Sequence, residues 1–228
     1  MKLTSKRFYN DNQYDEYVEN QITLGKKDKF RNPYEYINVV NSLGTILNSH
    51  DLTWKTDVPF KMICLGARNG FEKEVFQHCW SQGNFPCNVY DLDLDPASNC
   101  DFIYDFANMP EDWEDKWDFI YTNAPDHAFD GEKAILEWLR VLKPKGYLIV
   151  GWSPINYKNS GHQRKNVLDG LDCSYYNSFD KIEEWFSSLE GVSVLGKFGK
   201  TVGYPDLNLV LSDGCVFNYL VITKSSVE

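Results

Sequence analysis

Short apolar runs recur along the chain from about residue 59 onward, and amphipathic stretches separate several of them. Such runs predict buried strands, whereas apolar residues at intervals of three and four predict helices. The predicted strands cover 60–65, 88–93, 101–105, 117–121, 146–151, 192–195 and 216–223. The predicted helices cover about 70–80, 131–142 and 180–189. Because strands alternate with helices of about ten residues, the pattern indicates βαβ units and a mainly parallel sheet.

The last two predicted strands are connected differently from the others. The segment between them is punctuated by Gly and Pro and has no strong helical periodicity, which predicts an antiparallel, hairpin-like pair. A polar loop is expected over 153–177. The sequence therefore predicts an α/β fold with a Rossmann-like, seven-stranded mixed sheet: five parallel strands plus a terminal antiparallel pair, flanked by helices.

The first 57 residues are polar and rich in Tyr and Asn. Asn32-Pro33 is typical of a helix start, and apolar residues follow it at helical spacing. We therefore expect residues 1–57 to form a helical N-terminal extension packed on a core domain of residues 58–228. The tyrosines of the extension would suit a lid over a binding site, but the sequence alone leaves this open.

Charge and composition exclude several classes of function. The formal net charge of −10 opposes binding to nucleic acid, because Lys and Arg supply most of the affinity for phosphates. No apolar run approaches the roughly 20 residues of a membrane span, and the N-terminus lacks the apolar core of a signal peptide. A cytoplasmic protein with a small-molecule partner is expected, and its oligomeric state stays open.

The six cysteines are scattered along the chain. They form no CxxC pair and have no histidine at metal-binding spacing, so buried reduced thiols are expected and no metal site is predicted.

A glycine-containing turn, Gly66-Ala67-Arg68-Asn69-Gly70, follows the first predicted core strand. Glycines allow the backbone to approach a ligand closely, and the next helix offers free N–H groups at its N-terminus. Alone, the turn fits an ordinary strand-to-helix connection equally well.

Three alternating aspartates, Asp91, Asp93 and Asp95, lie at the end of the second core strand. An acid about 20 residues beyond a glycine turn can accept hydrogen bonds from ribose hydroxyls, which suits Asp93. A calcium loop is excluded because Pro96 and Phe102 occupy the positions that need Gly and Glu. An ordinary strand end, with Asp95 capping the following turn, remains open.

Five segments in order between residues 63 and 152 carry a family resemblance: ICLGARNG, YDLDLDP, IYDFANMP, WDFIYTNAPDHAFD and LEWLRVLKPKGYLIVGW. Their order and spacing resemble the core of the class I S-adenosylmethionine (SAM)-dependent methyltransferases, particularly the small-molecule, type 11-like enzymes. The resemblance implies SAM as the cofactor and methyl transfer as the activity.

The resemblance also implies roles for individual residues. Glycines of the turn would cradle the methionine part of SAM, an acid after the second strand would bind ribose, an acid with its neighbour would hold adenine, and the fourth-strand loop would line the sulfonium. In this order the implied cofactor residues are Gly66, Ala67, Arg68 and Gly70; Asp93 and Leu94; Asp105 and Phe106; Asn123 and Ala124.

Two positions depart from the family pattern. Cys64 stands where the family has an acid, and Arg68 replaces the middle glycine. Glu72, just inside the next helix, is a candidate to compensate for the missing acid, and we include it among the cofactor-binding residues. A first-turn acid favoured by the helix dipole explains Glu72 equally well.

Candidate residues for the reaction lie after the fourth and fifth strands. His127, with Asp126 beside it, is the candidate general base, although it could instead shape the pocket or cap the next helix. Trp152, His162 and Arg164 are candidates for the acceptor site, because loops at the carboxyl ends of parallel strands carry such sites. Ordinary loop polarity also explains the last two.

The methyl acceptor is inferred mainly from what the loop lacks. Asn123-Ala124-Pro125-Asp126 stands where amide and adenine methyltransferases carry an Asn/Asp-Pro-Pro-aromatic tetrad, and the loop has no Pro-Cys pair for cytosine C5 chemistry. We expect a small-molecule or sugar acceptor, with O-methylation favoured over N-methylation. A non-catalytic SAM-binding subunit, SAM cleavage or aminopropyl transfer, and an NAD(P)-dependent Rossmann oxidoreductase remain as alternatives.

Overall fold

A seven-stranded mixed sheet forms the centre of the computed structural model. The structure describes residues 5–7, 9–25, 58–68, 70–82, 86–152, 174–176, 179–200 and 217–225. The strands are β1 (Ser5–Arg7), β2 (Phe60–Leu65), β3 (Cys87–Asp93), β4 (Phe102–Ile103), β5 (Trp117–Thr122), β6 (Leu142–Trp152), β7 (Ser174–Tyr176), β8 (Val192–Lys200) and β9 (Phe217–Lys224). The helices are α1 (Tyr14–Gly25), α2 (Phe71–Gln82), α3 (Gly131–Val141) and α4 (Phe179–Ser187). Short 3-10 helices cover Asp11–Gln13, Glu111–Trp113 and Pro125–His127.

The strand order of the large sheet is β4-β3-β2-β5-β6-β9-β8. The first five strands in this order are parallel, and β9 runs antiparallel to both β6 and β8. This arrangement confirms the predicted mixed sheet, including the terminal antiparallel pair.

The parallel strands are buried on both faces of the sheet, as their continuous apolar runs predict. Ile63 and Leu65 of β2 contribute to the core on one face, where residues of α3 and α4 cover the sheet. Met62 and Cys64 point to the other face, where Phe76 of α2 packs. The alternation of side chains along each strand therefore supplies two separate apolar layers.

Two element boundaries differ from the prediction. The strand expected over 101–105 is reduced to Phe102–Ile103, because the Asp101 N–H donates to the Asp91 carboxylate instead of a strand carbonyl. The strand expected from residue 146 begins at Leu142, directly after α3. The start of α3 follows its sequence, since the Asp130 side chain caps it by accepting from the Lys133 N–H.

A second, two-stranded sheet was not predicted. β1 pairs antiparallel with β7, so that Lys6 lies opposite Tyr175. The prediction placed β7 in a polar loop, because neither three-residue segment carries a periodicity that indicates a strand. Residues 153–173 of that loop, and the helix start predicted at Asn32-Pro33, lie outside the described residues.

Candidate functional site

The strand order reverses between β2 and β5, which creates a crevice at the carboxyl ends of the parallel strands. The chain adds β3 and β4 on one side of β2 and then crosses to place β5 and β6 on the other side. In open α/β sheets such a switch point is where ligands bind. Gly66, Asp93 and Asn123 follow directly after or end the strands that border this crevice.

The glycine turn lies at the crevice. Gly66 and Gly70 have φ values of 72° and 75°, in the left-handed region that favours glycine. A Cβ on Gly66 would lie 3.2 Å from the Ala124 Cβ and 3.5 Å from a ring carbon of Phe106. Gly66, Phe106 and Ala124, all assigned to the cofactor from sequence, therefore lie together, and a side chain on Gly66 would be crowded.

Asp93 connects this turn to the end of β3. Its Oδ2 accepts from the Arg68 N–H at 2.8 Å, and its Oδ1 accepts from the Asp95 N–H at 2.9 Å. A carboxylate offers about four lone-pair sites, so acceptor capacity remains for a ligand hydroxyl. Arg68 itself has a φ of 52°, a left-handed conformation that costs a non-glycine residue energy. Leu94 is half-buried next to Asp93, and Asn69 lies outside the described residues.

Asp91 supports the turn from behind, a role that its sequence pattern did not reveal. A Cβ on Gly70 would lie 2.7 Å from the Asp91 Oδ2. Asp91 is buried, accepts from the Asp101 N–H, and has its pKa raised above the usual value by that burial. Lys73 forms an ion pair with Asp101 at 2.7 Å and lies near Asp91. The alternating aspartates in the sequence pointed to this region, but only the fold shows that Asp91 is buried behind the turn while Asp93 lies at the crevice.

Cys64 and Glu72 lie close together beneath the turn. Burial raises the pKa of the Cys64 thiol well above its usual value, and the carboxylates of Glu72 and Asp91 raise it further. The thiol is therefore neutral and cannot replace an acid. Glu72 is buried, although it lies in the first turn of α2. A carboxylate is thus present beside the position where the resembled family carries its acid.

Asp105 lies in the segment that follows β4. Its Oδ1 accepts from the Ala107 N–H at 2.8 Å, and its Oδ2 accepts from the Tyr14 hydroxyl at 2.6 Å. Burial and the bond to Asp105 raise the pKa of Tyr14 well above its usual value. Phe106 is buried, and its ring packs edge-on against Trp138. The sequence indicated Tyr14 only as one of many tyrosines in the first segment.

Helix α1 reaches the same region through an aromatic cluster. The cluster comprises Tyr9, Tyr14, Tyr17 and Phe129. The Tyr14 and Tyr17 rings each lie 5.3 Å from the Phe129 ring, between centroids, and Tyr17 is 3% exposed. Because Phe129 follows the 3-10 helix after β5, α1 packs on the loop that borders the crevice.

The loop after β5 is tied to β2 by a side-chain bridge. The Thr122 hydroxyl donates to the Leu65 carbonyl at 3.3 Å and accepts from the Ala124 N–H at 3.2 Å. The His127 N–H then donates to the Ala124 carbonyl within the 3-10 helix. His127 is half-buried, and β7 lies against this 3-10 helix. Asn123 approaches β6, since a Cβ on Gly151 would lie 3.3 Å from the Asn123 Cβ.

Four of the predicted site residues have no described side chain. The backbones of Asp126 and Trp152 are described, but their side chains are not. His162 and Arg164 lie outside the described residues. Among the residues predicted to lie near the reacting methyl group, the structure describes the side chains of His127, Asn123 and Ala124.

The described residues add three further observations. Within them, no group of three or more His, Cys, Asp or Glu side chains is arranged to hold a metal ion. Cys64, Cys79, Cys87 and Cys100 are free thiols, and Cys64 and Cys87 are buried. No helix in the described ranges has both the length and the apolar character needed to span a membrane.

Comparison with known proteins gives similarity in structure but not in sequence. No family model and no curated protein matches the sequence. The structure of phosphoethanolamine N-methyltransferase 2 from Haemonchus contortus, in complex with S-adenosyl-L-methionine, aligns with a TM-score of 0.59 at 12% identity, covering 95% of this chain. The chain spans 59% of the length of that protein.

Two other solved structures are similar over their nearly full length. A putative sarcosine dimethylglycine methyltransferase from Galdieria sulphuraria aligns with a TM-score of 0.57 at 15% identity, covering 97% of this chain and 100% of that one. Geranyl diphosphate C-methyltransferase from Streptomyces coelicolor aligns with a TM-score of 0.59 at 11% identity, covering 92% and 98%. The chain has the class I SAM-dependent methyltransferase fold. At these identities the similarity establishes the methyltransferase fold, and the site has to be argued from this chain's own residues.

Proposed function

We propose that the chain is a SAM-dependent methyltransferase that acts on a small molecule or a sugar. The observation that carries the proposal is the convergence of Gly66, Phe106 and Ala124 at the switch point of the sheet, with Asp93 holding the turn beside them. Structures with the same fold have been determined with SAM or S-adenosylhomocysteine, which supports this choice of ligand.

The residues at the crevice fit the parts of SAM. The glycine turn would allow the backbone to approach the methionine part closely, whereas a Cβ at Gly66 would crowd Ala124 and one at Gly70 would crowd Asp91. Asp93 retains lone pairs for the ribose hydroxyls, and Asp105 for the exocyclic amine of adenine. The Phe106 ring provides an apolar surface near the base.

SAM supplies an activated methyl group on a sulfonium, so the protein has to position the acceptor in line with the S–C bond. A lone pair of the acceptor forms the new bond to the methyl carbon, and the electrons of the broken S–C bond remain on sulfur. An acceptor that must lose a proton also needs a base. We assign this role to His127, with Asp126 beside it, because the 3-10 helix places His127 at the edge of the crevice.

The acceptor site is proposed to lie between the loop after β5 and the segments that follow β6, including Trp152, His162 and Arg164. Two of the similar structures are named as methyltransferases of nitrogen and carbon acceptors, respectively. We favour oxygen over nitrogen because the Asn123–Asp126 loop lacks the residues that amide and adenine methylation use. The proposed organisation is a methyltransferase domain over 58–228 with an N-terminal extension over 1–57, in the cytoplasm.

Calorimetric titration with SAM, S-adenosylhomocysteine and NADP⁺ tests the ligand. We expect binding of the first two and none of the third, with Asp93→Asn weakening SAM about tenfold or more because it removes a charged acceptor. Lys143→Gln is the matched control, since Lys143 pairs with Asp118 at the opposite end of β5. Binding of NADP⁺ alone would favour the oxidoreductase.

Methyl-labelled SAM then tests the reaction. The protein is incubated with hydroxyl, amine and carbon acceptors and with metabolite extracts, and label is followed into product. Transfer supports the proposal, and the labelled atom identifies the acceptor class. Tight SAM binding without transfer in any mixture would favour a non-catalytic subunit, an alternative that the departures at Cys64 and Arg68 keep in view. Label that accumulates in methylthioadenosine without a methylated product would favour SAM cleavage. Methylthioadenosine formed only from decarboxylated SAM and an amine would favour aminopropyl transfer.

A further inference from the structure

Helix α3 is bonded to the segment that carries Asp105. The Trp138 Nε1–H donates to the Phe106 carbonyl at 3.1 Å. Trp138 is completely buried, and its ring contacts the Phe106 ring. One side chain of α3 therefore fixes both the backbone and the ring of the residue next to Asp105.

Glu137 and Arg140 hold the rest of the same segment. The Glu137 Oε1 accepts from the Met109 N–H at 2.8 Å. The Arg140 guanidinium donates to the carbonyls of Met109 at 3.3 Å, Pro110 at 3.0 Å and Glu111 at 3.2 Å. One planar group thus accommodates three successive carbonyls, a geometry that the single ammonium of a lysine cannot reproduce.

The two side chains of this pair also bind each other. Arg140 donates to both carboxylate oxygens of Glu137, at 2.8 and 2.9 Å. Although burial acts in the opposite direction, the bonds to Arg140 and to the Met109 N–H hold the pKa of Glu137 below its usual value. The charged pair is therefore maintained at neutral pH. We call Glu137, Trp138 and Arg140 the α3 brace.

The orientation of the Asp105 carboxylate is set partly by the Tyr14 hydroxyl, which donates to its Oδ2, and partly by the segment that the brace holds. Its Oδ1 accepts from the Ala107 N–H, two residues along the same segment, and the Asn108 N–H donates to the Asp105 carbonyl. The Tyr104 N–H still donates to the Asp93 carbonyl of β3, but residues 105–110 lie outside any strand, between β4 and the next 3-10 helix. The brace supplies the fixed reference that a strand would otherwise provide.

We propose that the α3 brace consists of positioning residues for adenine recognition. By fixing residues 105–111 before the cofactor binds, it holds the Asp105 carboxylate ready to accept from the exocyclic amine, which raises affinity and selectivity together. This inference rests on the proposed role of Asp105 in SAM binding. It predicts that the brace affects the choice of base more than the binding of the remainder of the cofactor.

The test compares S-adenosylhomocysteine with S-inosylhomocysteine, in which a 6-oxo group replaces the amine. We expect wild-type protein to prefer the adenine ligand about tenfold or more, the effect of losing a hydrogen bond to a charged group. Arg140→Lys and Glu137→Gln should reduce this preference at least several-fold, mainly by weakening the adenine ligand. Trp138→Phe should act in the same direction. If this buried variant fails to fold, the variants at the partly exposed Glu137 and Arg140 still test the proposal.

Lys143→Gln serves as the control, because it removes an ion pair of similar exposure away from the crevice and should leave the preference unchanged. Equal weakening of both ligands by the brace variants would show a purely structural role and overturn the inference. If wild-type protein binds both ligands equally, Asp105 does not recognise the adenine amine and the inference is wrong, although the proposed SAM site would stand. Wild-type protein that binds neither would instead overturn the proposed function.

Discussion

Beneath the glycine turn, Cys64 stands where the resembled family has an acid, and Glu72 brings a carboxylate from the neighbouring helix. The buried thiol is kept neutral, whereas a carboxylate enters from the first turn of α2, where the helix dipole favours negative charge. An exposed first-turn acid would need no further explanation. Glu72 is only 2% exposed and lies beside the turn that we assign to the methionine part of SAM, so we propose that it holds the amino group of the cofactor.

Glu72→Gln tests this compensation without changing the size of the side chain. We expect SAM affinity to fall about tenfold, as for a lost charge-assisted hydrogen bond, and the affinity for methylthioadenosine to change little. Methylthioadenosine lacks the amino acid part, so it reports on the rest of the site. Calorimetry with both ligands measures the difference. Unchanged SAM affinity would mean that Glu72 only supports the helix.

His127→Ala tests the proposed base. We expect turnover to fall about 10²-fold or more, the typical contribution of a positioned general base, while SAM affinity stays within about twofold. Steady-state kinetics on the acceptor found by the label screen and calorimetry with SAM separate these two effects. Equal loss of both, or loss of neither, would remove His127 from the reaction.

The glycine turn and the strand ends at the crevice are predictable from local sequence, whereas the residues that support them are not. The positions of Gly66, Asp93 and Ala124 follow from local order along the chain, and the fold brings them together. Asp91, Tyr14 and Trp138 matter through partners far along the sequence. Their contacts to Gly70, Asp105 and Phe106 depend on tertiary packing, which no local pattern encodes.

At the scale of elements, the core strands and helices α2, α3 and α4 were predicted, whereas α1, β1 and β7 were not predicted as elements. The core strands and α2, α3 and α4 have enough apolar positions to reveal their period. The paired strands β1 and β7 contain three residues each, and they form only when distant parts of the chain meet. The domain boundary at residue 57 stays a prediction.

Helix α1 places a tyrosine hydroxyl on a carboxylate that we assign to the cofactor, which leads to a prediction about SAM affinity. The Tyr14 hydroxyl donates to the Asp105 Oδ2, the group that we assign to the adenine amine. Asp105 keeps further lone pairs, but the Tyr14 hydroxyl occupies a position at Oδ2 that the amine could use. Tyr14→Phe should therefore strengthen SAM binding about three- to tenfold, as expected from removing a competing hydrogen bond. Calorimetry measures the change, and Tyr9→Phe, in the same aromatic cluster, is the control. Weaker binding would mean that Tyr14 orients Asp105 in the bound state.

At the scale of the whole molecule, one of the two apolar layers contains buried thiols that link stability to alkaline pH. Burial raises the pKa of Cys87 to about 12, whereas a thiol in an unfolded chain titrates near 8.5. Between these values the folded state binds more protons than the unfolded state. The corresponding stabilisation is complete below about pH 8.5 and is lost as pH rises toward 12.

Urea unfolding at a series of pH values from 7 to 10 checks this dependence. We expect the free energy of unfolding to fall above about pH 8.5, and Cys87→Ala to reduce the slope by up to about 1.4 kcal/mol per pH unit. Cys79, which is only partly buried, provides the control: Cys79→Ala should change the slope much less. An identical slope in wild type and Cys87→Ala would contradict the assignment.

The position of β9 between β6 and β8 has a consequence for synthesis. The ribosome releases β6, with its apolar Leu148, Ile149 and Val150, well before it makes the strand that pairs with them. During that interval one edge of an almost complete parallel sheet presents unpaired backbone groups beside apolar side chains, a combination that promotes aggregation. Chains that stall or are cut before β9 should therefore be prone to aggregation and dependent on chaperones.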